Sequence, residues 1–318
     1  MISAKNNITG KYEFDEMFKN TWDYLQKSEL SIGVYEGPSA GNKTSYSTSN
    51  YGDGIPLYLN FPDEFVKSIK KAGISLVTTA NNHLLDKGIN GSLRTIDFLN
   101  QNNITHIGSY RSPNEKSQLL VLNISNIKFA ILSYTSGVNH ENIEKLYEKY
   151  PYLTSFIPNL NNKYYNEILI EIKNDFKKAR NAKPDYIVVL AHMGSEFSDS
   201  TDIFQKKWNK IFSELGADMI LGDHSHHVQP LEQLGNTFIV NCPGNFANSY
   251  IKKNGDATFI VNLYFNKNTK KLIGSSIIPM YTQEYKPKYF RALPIFKIFN
   301  NSINITSKEL LRIKKFKN

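Results

Sequence analysis

Residues 61–83 read FPDEFVKSIKKAGISLVTTANNH. Phe61, Phe65, Ile69 and Ala72 recur at the three- and four-residue spacing that lines one face of an α-helix. Pro62 stands near the start of that helix and Gly73 where a C-cap belongs. ISLVTTA follows, apolar and β-branched without alternation, as in a strand buried on both faces. It ends in three polar side chains, Asn81, Asn82 and His83.

The same unit recurs along the chain. YYNEILIEIKNDFKKAR (164–180) is amphipathic through Ile168, Ile172 and Phe176, YIVVLA (186–191) is the strand behind it, and His192 stands just beyond. FQKKWNKIFSELG (204–216) aligns Phe204, Trp208, Ile211 and Leu215 and stops at Gly216. It leads through DMIL into LGDHSHHVQP (221–230), which places three of the chain's seven histidines within four positions. Upstream, FDEMFKNTWDYLQKS (14–28) predicts a helix before the strand LSIGVY (30–35) and Glu36. Helices alternating with continuous apolar strands predict an α/β fold: a layered sandwich with a largely parallel central sheet. KFAILSY (128–134) and TFIVN (237–241) extend that sheet. Groups just past the carboxyl ends of parallel strands gather along one edge, where ligands bind. Glu36, Asn81, Asn82, His83, His192, His224, His226 and His227 all fall there, five of the seven histidines among them.

Composition narrows the alternatives. The 318 residues are 40% hydrophobic and 13% aromatic, the make-up of a folded globule rather than a disordered chain. No apolar run is long enough for a membrane helix, so the chain reads as soluble as written. A lone cysteine, Cys242, excludes an internal disulfide and a thiolate cluster. The net charge of +9 favours anionic partners, but no stretch interleaves clustered basic residues with aromatics, so no specific nucleic acid is expected. Two stretches break the helix–strand rhythm, GPSAGNKTSYSTSNYGDGIP (37–56) and NHENIEKLYEKYPYLTSFIPNLNN (139–162). Each is either a lid over the functional edge or surface decoration.

The rim has the donors of a metal site. In an extended segment residues i and i+2 face one side, so His224 and His226 point together and His227 away. Two such imidazoles can each serve one ion of a pair about 3.5–4 Å apart. His192 adds a nitrogen, Glu36 a carboxylate able to bridge, and Asn82 a neutral oxygen. This mixed nitrogen and oxygen set suits Zn, Mn or Fe, as one or two ions. His83, beside Asn82, is placed to protonate a leaving oxygen as general acid. Asn81, Asn245 and Arg111 are the expected substrate contacts.

Several of these segments together resemble the capsule-biosynthesis and poly-γ-glutamate-synthesis proteins of the CapA (PgsA) type, within the calcineurin-like metallophosphatase superfamily. TTANNHLLDKGINGSLRTIDFL (78–99) resembles that family's A-N-N-H-x-x-D-x-G segment, AHMGSE (191–196) its H-W-G-x-E, and GADMILGDHSHHVQPLE (216–232) its G-A-D-x-x-x-G-x-H-P-H-x-x-Q-P. LSIGVYEG and CPGNF resemble its G-N-L-E and L-G-N-F segments, and the likeness runs from Lys11 to Phe246. Met193, Ser225, Val34 and Tyr35 depart from the pattern.

The resemblance implies that Glu36 bridges two metals, that Asn82, His192 and His224 complete one site, that His226 joins the other, and that His83 donates a proton. It implies one metallophosphatase-like domain over residues 1–318, with a core at 11–285 and a basic tail at 286–318. The family's opening G-D-x-x-x-H segment has no counterpart, so the chain is expected to begin just downstream of it, without the first strand and with exposed sheet edges. It would then be a truncated product, or a variant that holds one metal well and the second poorly. The expected activity is metal-dependent hydrolysis in the making, export or trimming of an anionic surface polymer such as poly-γ-glutamate. Membrane-bound capsule-synthesis components are the expected partners, and the outer cell surface the expected location. The alternatives are a non-catalytic polymer-binding assembly component on the same scaffold, and a phosphodiesterase or nuclease.

Overall fold

The computed structural model describes Lys5 and residues 10–47, 54–248, 255–286 and 289–299. In chain order the first half contains helices Asp15–Phe18 (α1) and Trp22–Leu25 (α2), strand Ile32–Val34 (β1), helix Asp63–Ala72 (α3), strand Leu76–Thr78 (β2), helix Gly88–Gln101 (α4) and strand Thr105–Ile107 (β3). Helix Pro113–Ser117 (α5), strands Leu120–Ile124 (β4) and Ile127–Thr135 (β5), helices Ile143–Lys149 (α6) and Tyr165–Asn181 (α7) and strand Tyr186–His192 (β6) follow. The second half adds helix Ile203–Glu214 (α8) and strands Met219–Asp223 (β7), Leu231–Leu234 (β8), Thr237–Val240 (β9), Ala257–Phe265 (β10), Leu272–Lys286 (β11) and Tyr289–Pro294 (β12), then helix Ile295–Phe299 (α9).

The stretch 61–83 folds as its pattern predicts. Pro62 precedes α3 in an extended conformation, and Gly73 closes the helix at φ 103°, where any side chain would be strained. The polar trio follows β2. The α/β class with parallel strands at its centre and mixed edges is what the structure has, but the parallel strands divide between two sheets. One is β1-β2-β3, wholly parallel, and the other runs β4-β5-β6-β7-β9-β8 with antiparallel edge pairs. A third sheet, β10-β11-β12, is antiparallel.

Strands without a polar face must be covered on both sides, and this divides the molecule into layers. Ala130, Leu132, Tyr134, Ile187, Val189 and Ile220 point from the six-stranded sheet toward Ile172, Phe176, Trp208 and Phe212 of α7 and α8. The alternate residues Phe129, Ile131, Val188, Leu190 and Met219 point the other way and meet Leu76 of β2 and Ile107 of β3. Beyond the small parallel sheet, Val77 packs with Phe14, the residue before α1, and with Phe18, Val66 and Ile69 of α1 and α3. Trp208 is fully buried against Phe212 and Phe204. Trp208→Ala is therefore expected to destabilise the chain by about 3–5 kcal/mol, measured by chemical denaturation with intact secondary structure as the control.

Four expectations change. The helix predicted over 14–28 is broken by a 3₁₀ turn at Lys19–Thr21, because Thr21 donates its hydroxyl to the Phe18 carbonyl and competes with the helical ladder. The buried face of α8 is rotated from the expected apolar stripe. Gln205 and Asn209 go inward beside Trp208 and Phe212, where their amides bond Gln229 and Asn241 at 2.9 and 2.8 Å. The stretch 139–162 is not mere decoration: Leu153, Phe156 and Ile157 are core residues, Tyr147 is tied to Glu171 of α7, and at its start Asn139 and His140 line the cleft. Finally, residues 289–294 of the expected tail form β12, with Phe290, Ala292 and Leu293 buried. The remainder of that tail from residue 300, and residues 48–53 of the loop 37–56, lie outside the described residues.

Among the described residues one edge of β1 has no strand partner, and the outer edge of β10 is bridged only at Thr258, by Gly244. Both strands line an open cleft of about 1680 Å³, which reaches Glu36, His83, His224 and His226.

Candidate metal centre

Strand ends deliver the polar groups. Glu36 follows β1 by two residues, while His192 and Asp223 are the last residues of β6 and β7 and stand opposite each other in register. The turn after β2 is locked by Asn81, which donates to the carbonyls of Tyr35 (2.9 Å) and Thr79 (3.2 Å) and accepts from the His83 amide (3.0 Å). One amide side chain thereby ties the Glu36 segment to Asn82 and His83. Gln229 anchors the histidine loop, bonding Gln205 and the carbonyls of Ser198 and Ser200. A Cβ on Gly222, next to Asp223, would fall 2.3 Å from the Asn241 carbonyl oxygen, so only glycine fits there.

Glu36, His192 and His224 each present one ligand atom within 4.8 Å of the others. Asn82 Oδ1 is 3.0 Å from His192 Nε2. Glu36 Oε1 lies 3.8 Å from His192 Nε2 and 3.6 Å from His226 Nε2, between the two rings. His224 and His226 do approach one another, with ring centroids 6.5 Å apart, but not because the segment is extended. Both residues have positive φ, 92° and 59°, and the chain bends there around the Ser225 hydroxyl, which donates to the His227 carbonyl. His227 turns away and bonds Asp199 at 2.6 Å.

The imidazoles are held by their Nδ1 atoms. His83 Nδ1 meets Asp86 (2.6 Å), His226 Nδ1 meets Asn245 Oδ1 (2.8 Å), and His192 Nδ1 pairs with Asp223. His224 differs, since its buried Nδ1 has neither a hydrogen-bond nor an ion-pair partner among the described residues, while buried Glu36 Oε1 has no hydrogen bond and only the longer ion pairs to His192 and His226. Phe197 stacks on the His226 ring at 5.5 Å.

These neighbours set the charges. Burial alone would raise the Glu36 carboxyl, but His226, His192 and His83 together hold it below the ordinary range. Burial pushes His224 down to about 2, with His192, His226 and His83 adding to the effect, so this ring is neutral and its nitrogen free to donate electrons. Burial disfavours the charged form of His192, yet Asp223 and then Glu36 outweigh it and raise that ring. His83 is likewise raised, by Asp86 and Glu36 against burial.

The cluster fits a divalent cation. Two ligands each about 2.1 Å from a tetrahedral ion stand about 3.4 Å apart, close to the spacing of Asn82, His192, Glu36 and His226. A buried carboxylate oxygen and a buried imidazole nitrogen without hydrogen-bond partners are costly unless an electrophile satisfies them.

Of the expected substrate contacts, Asn245 lines the cleft and also orients His226, whereas the Asn81 amide is spent on Tyr35 and Thr79. Arg111 is not brought to the site: it is bound by Asp97 (2.6 Å) and Glu115 (2.7 Å) beyond β3. Sequence reasoning passes over the two partner carboxylates, Asp86 and Asp223. Asp86 is legible three residues after His83, whereas Asp223 needs the β6–β7 register.

Fold and site together define an α/β protein with a histidine- and carboxylate-lined cleft at the ends of parallel strands. Residues 2–250 match the family described as bacterial capsule synthesis protein PGA_cap, and the chain belongs to that family. It is similar to the capsule biosynthesis protein CapA of Bacillus anthracis, 24% identical over 310 residues that cover 97% of this chain and 72% of that one. It is also similar to the PGA biosynthesis protein CapA of Bacillus subtilis (strain 168), 24% identical over 269 residues, 80% of this chain and 66% of that one. Among solved structures, TT1561 of Thermus thermophilus aligns at a TM-score of 0.37 and 11% identity, over 67% of this chain and 77% of that one.

Proposed function

We propose that this chain is a divalent-cation-dependent hydrolase of capsule synthesis that acts on an anionic surface polymer of the poly-γ-glutamate kind. The observation that carries the reading is the convergence of Glu36, His192 and His224 within 4.8 Å, with Glu36 Oε1 and His224 Nδ1 buried without a hydrogen-bond partner. Asn82 and His226 complete the donor set, and Zn, Mn or Fe is the cation class, as one or two ions. Such an ion supplies a Lewis acid for a phosphoryl or acyl centre. The chain's own groups do the rest. Glu36 carries the negative charge that faces the cation, the Asn81 turn keeps Asn82 and His83 in place, and His83, oriented by Asp86, delivers a proton to the leaving group.

The names of the two CapA relatives support a capsule polymer as the substrate, and the net charge of +9 is in keeping with a polyanion. We place the activity at the outer cell surface, in one metallophosphatase-like domain working with membrane-bound synthesis components. Among the described residues, no helix is long and apolar enough to cross a membrane.

The test loads chelator-stripped protein with Mn2+ or Zn2+, counts bound ions, and follows cleavage of a chromogenic phosphodiester, a γ-glutamyl anilide and poly-γ-glutamate. Stoichiometric binding with turnover of one substrate class is the expected result. Polymer binding without turnover under saturating cation would replace the hydrolase by an assembly component.

A further inference from the structure

We propose that Asp223 is the positioning residue of the cation site, the carboxylate that fixes the tautomer and ring direction of His192. The inference rests on the cation reading above and deepens it. His192 and Asp223 are the terminal residues of neighbouring parallel strands and stand directly opposite, so their side chains leave the sheet on the same face. Asp223 Oδ1 pairs with His192 Nδ1, and no other side chain among the described residues competes for that oxygen. With Nδ1 so engaged, the other nitrogen of the ring points to Asn82 Oδ1 and toward Glu36. A carboxylate behind a ligating imidazole fixes its orientation and raises its basicity.

The surroundings leave Asp223 little other work. It is buried against one nitrogen of His192, with Glu36 on the side of the other. A second buried acid this close to Glu36 is a cost to the fold unless the pair serves a positive centre. Gly222 permits the close approach of β7 to Asn241 that sets the strand end in place, so the location of the carboxylate is built into the backbone.

The experiment titrates Co2+ into the chelator-stripped full chain and into Asp223→Ala and Asp223→Asn. It records affinity by calorimetry and the hyperfine-shifted exchangeable ring N–H signals by NMR. Wild type is expected to bind Co2+ and to show an N–H signal from His192 Nδ1. Asp223→Ala should bind about 10–100-fold more weakly, with that signal lost or displaced. Asp223→Asn, which keeps an oxygen acceptor and nearly the same shape, should recover part of the affinity. Folding of each variant is verified by circular dichroism, and the near-isosteric Asn variant carries the test if the Ala variant does not fold. Wild-type binding with unchanged affinity and an unchanged N–H signal in a folded variant overturns the role of Asp223 alone. A wild-type chain that takes up no Co2+ overturns both this role and the cation site on which it rests.

Discussion

His224→Gly and His224→Ala are both expected to lose divalent-cation binding, yet the glycine variant should be the more stable of the two by about 1 kcal/mol. The affinity loss follows from the donor set: His224 is one of the three residues whose ligand atoms converge, and its buried Nδ1 has no other partner. The stability difference follows from the backbone. At φ 92° a Cβ is strained whatever the side chain, and glycine alone escapes that cost, less its larger entropy when unfolded. Strain of this kind persists where a site demands it. A thermal melt with and without Mn2+ reads both effects. At about 100 times its dissociation constant, the cation should stabilise wild type by about 2.7 kcal/mol and leave both variants unmoved. Equal melting temperatures for the two variants would remove the strain argument, and a cation-dependent shift in either would remove His224 from the donor set.

That strain also marks where the sequence stops being legible. The helix–strand rhythm is read directly from apolar spacing, because β2, α7 and β6 each bury what their periodicity says they bury, and α3 does so at Ile69 and Ala72 while Phe65 is only half-buried. Placement of the polar residues at strand ends follows from the same rhythm. Spacing says nothing about a loop whose conformation is set by a bend, and two residues with positive φ bring His224 and His226 together where an extended segment is expected. Spacing is equally silent on partners across strands. Asp223 sits beside His224 in the chain but acts on His192, thirty-one residues upstream, through a register that only the folded sheet defines. The division of the parallel strands into two sheets is hidden for the same reason, since a strand buried on both faces reads alike whether helices or a second sheet cover it. Buried amides on α8 escape a reading by hydrophobicity because their value lies in a hydrogen bond, Gln205 to Gln229, that steadies the histidine loop from behind.

The second large effect concerns His83, and it should depend on the leaving group. His83→Ala is expected to lower turnover of a substrate with an alkoxide or amine leaving group by about 10²–10⁴-fold, the usual contribution of a positioned acid. A nitrophenyl ester, whose leaving group departs without a proton, should lose much less. Cation content should stay near that of wild type, because His83 Nδ1 is committed to Asp86 and its Nε2 is 3.5 Å from the Asn139 amide nitrogen rather than within the converging triad. The comparison separates three roles for the same residue. A ligand would lose the ion, a purely structural residue would lose both substrates alike, and a proton donor loses the poor leaving group selectively. Asp86→Asn should reproduce the selectivity in weaker form, since the amide oxygen can still accept from Nδ1 without the charge that favours the protonated ring. Equal losses on both substrates in a folded, cation-loaded His83→Ala would remove the proton-donor role.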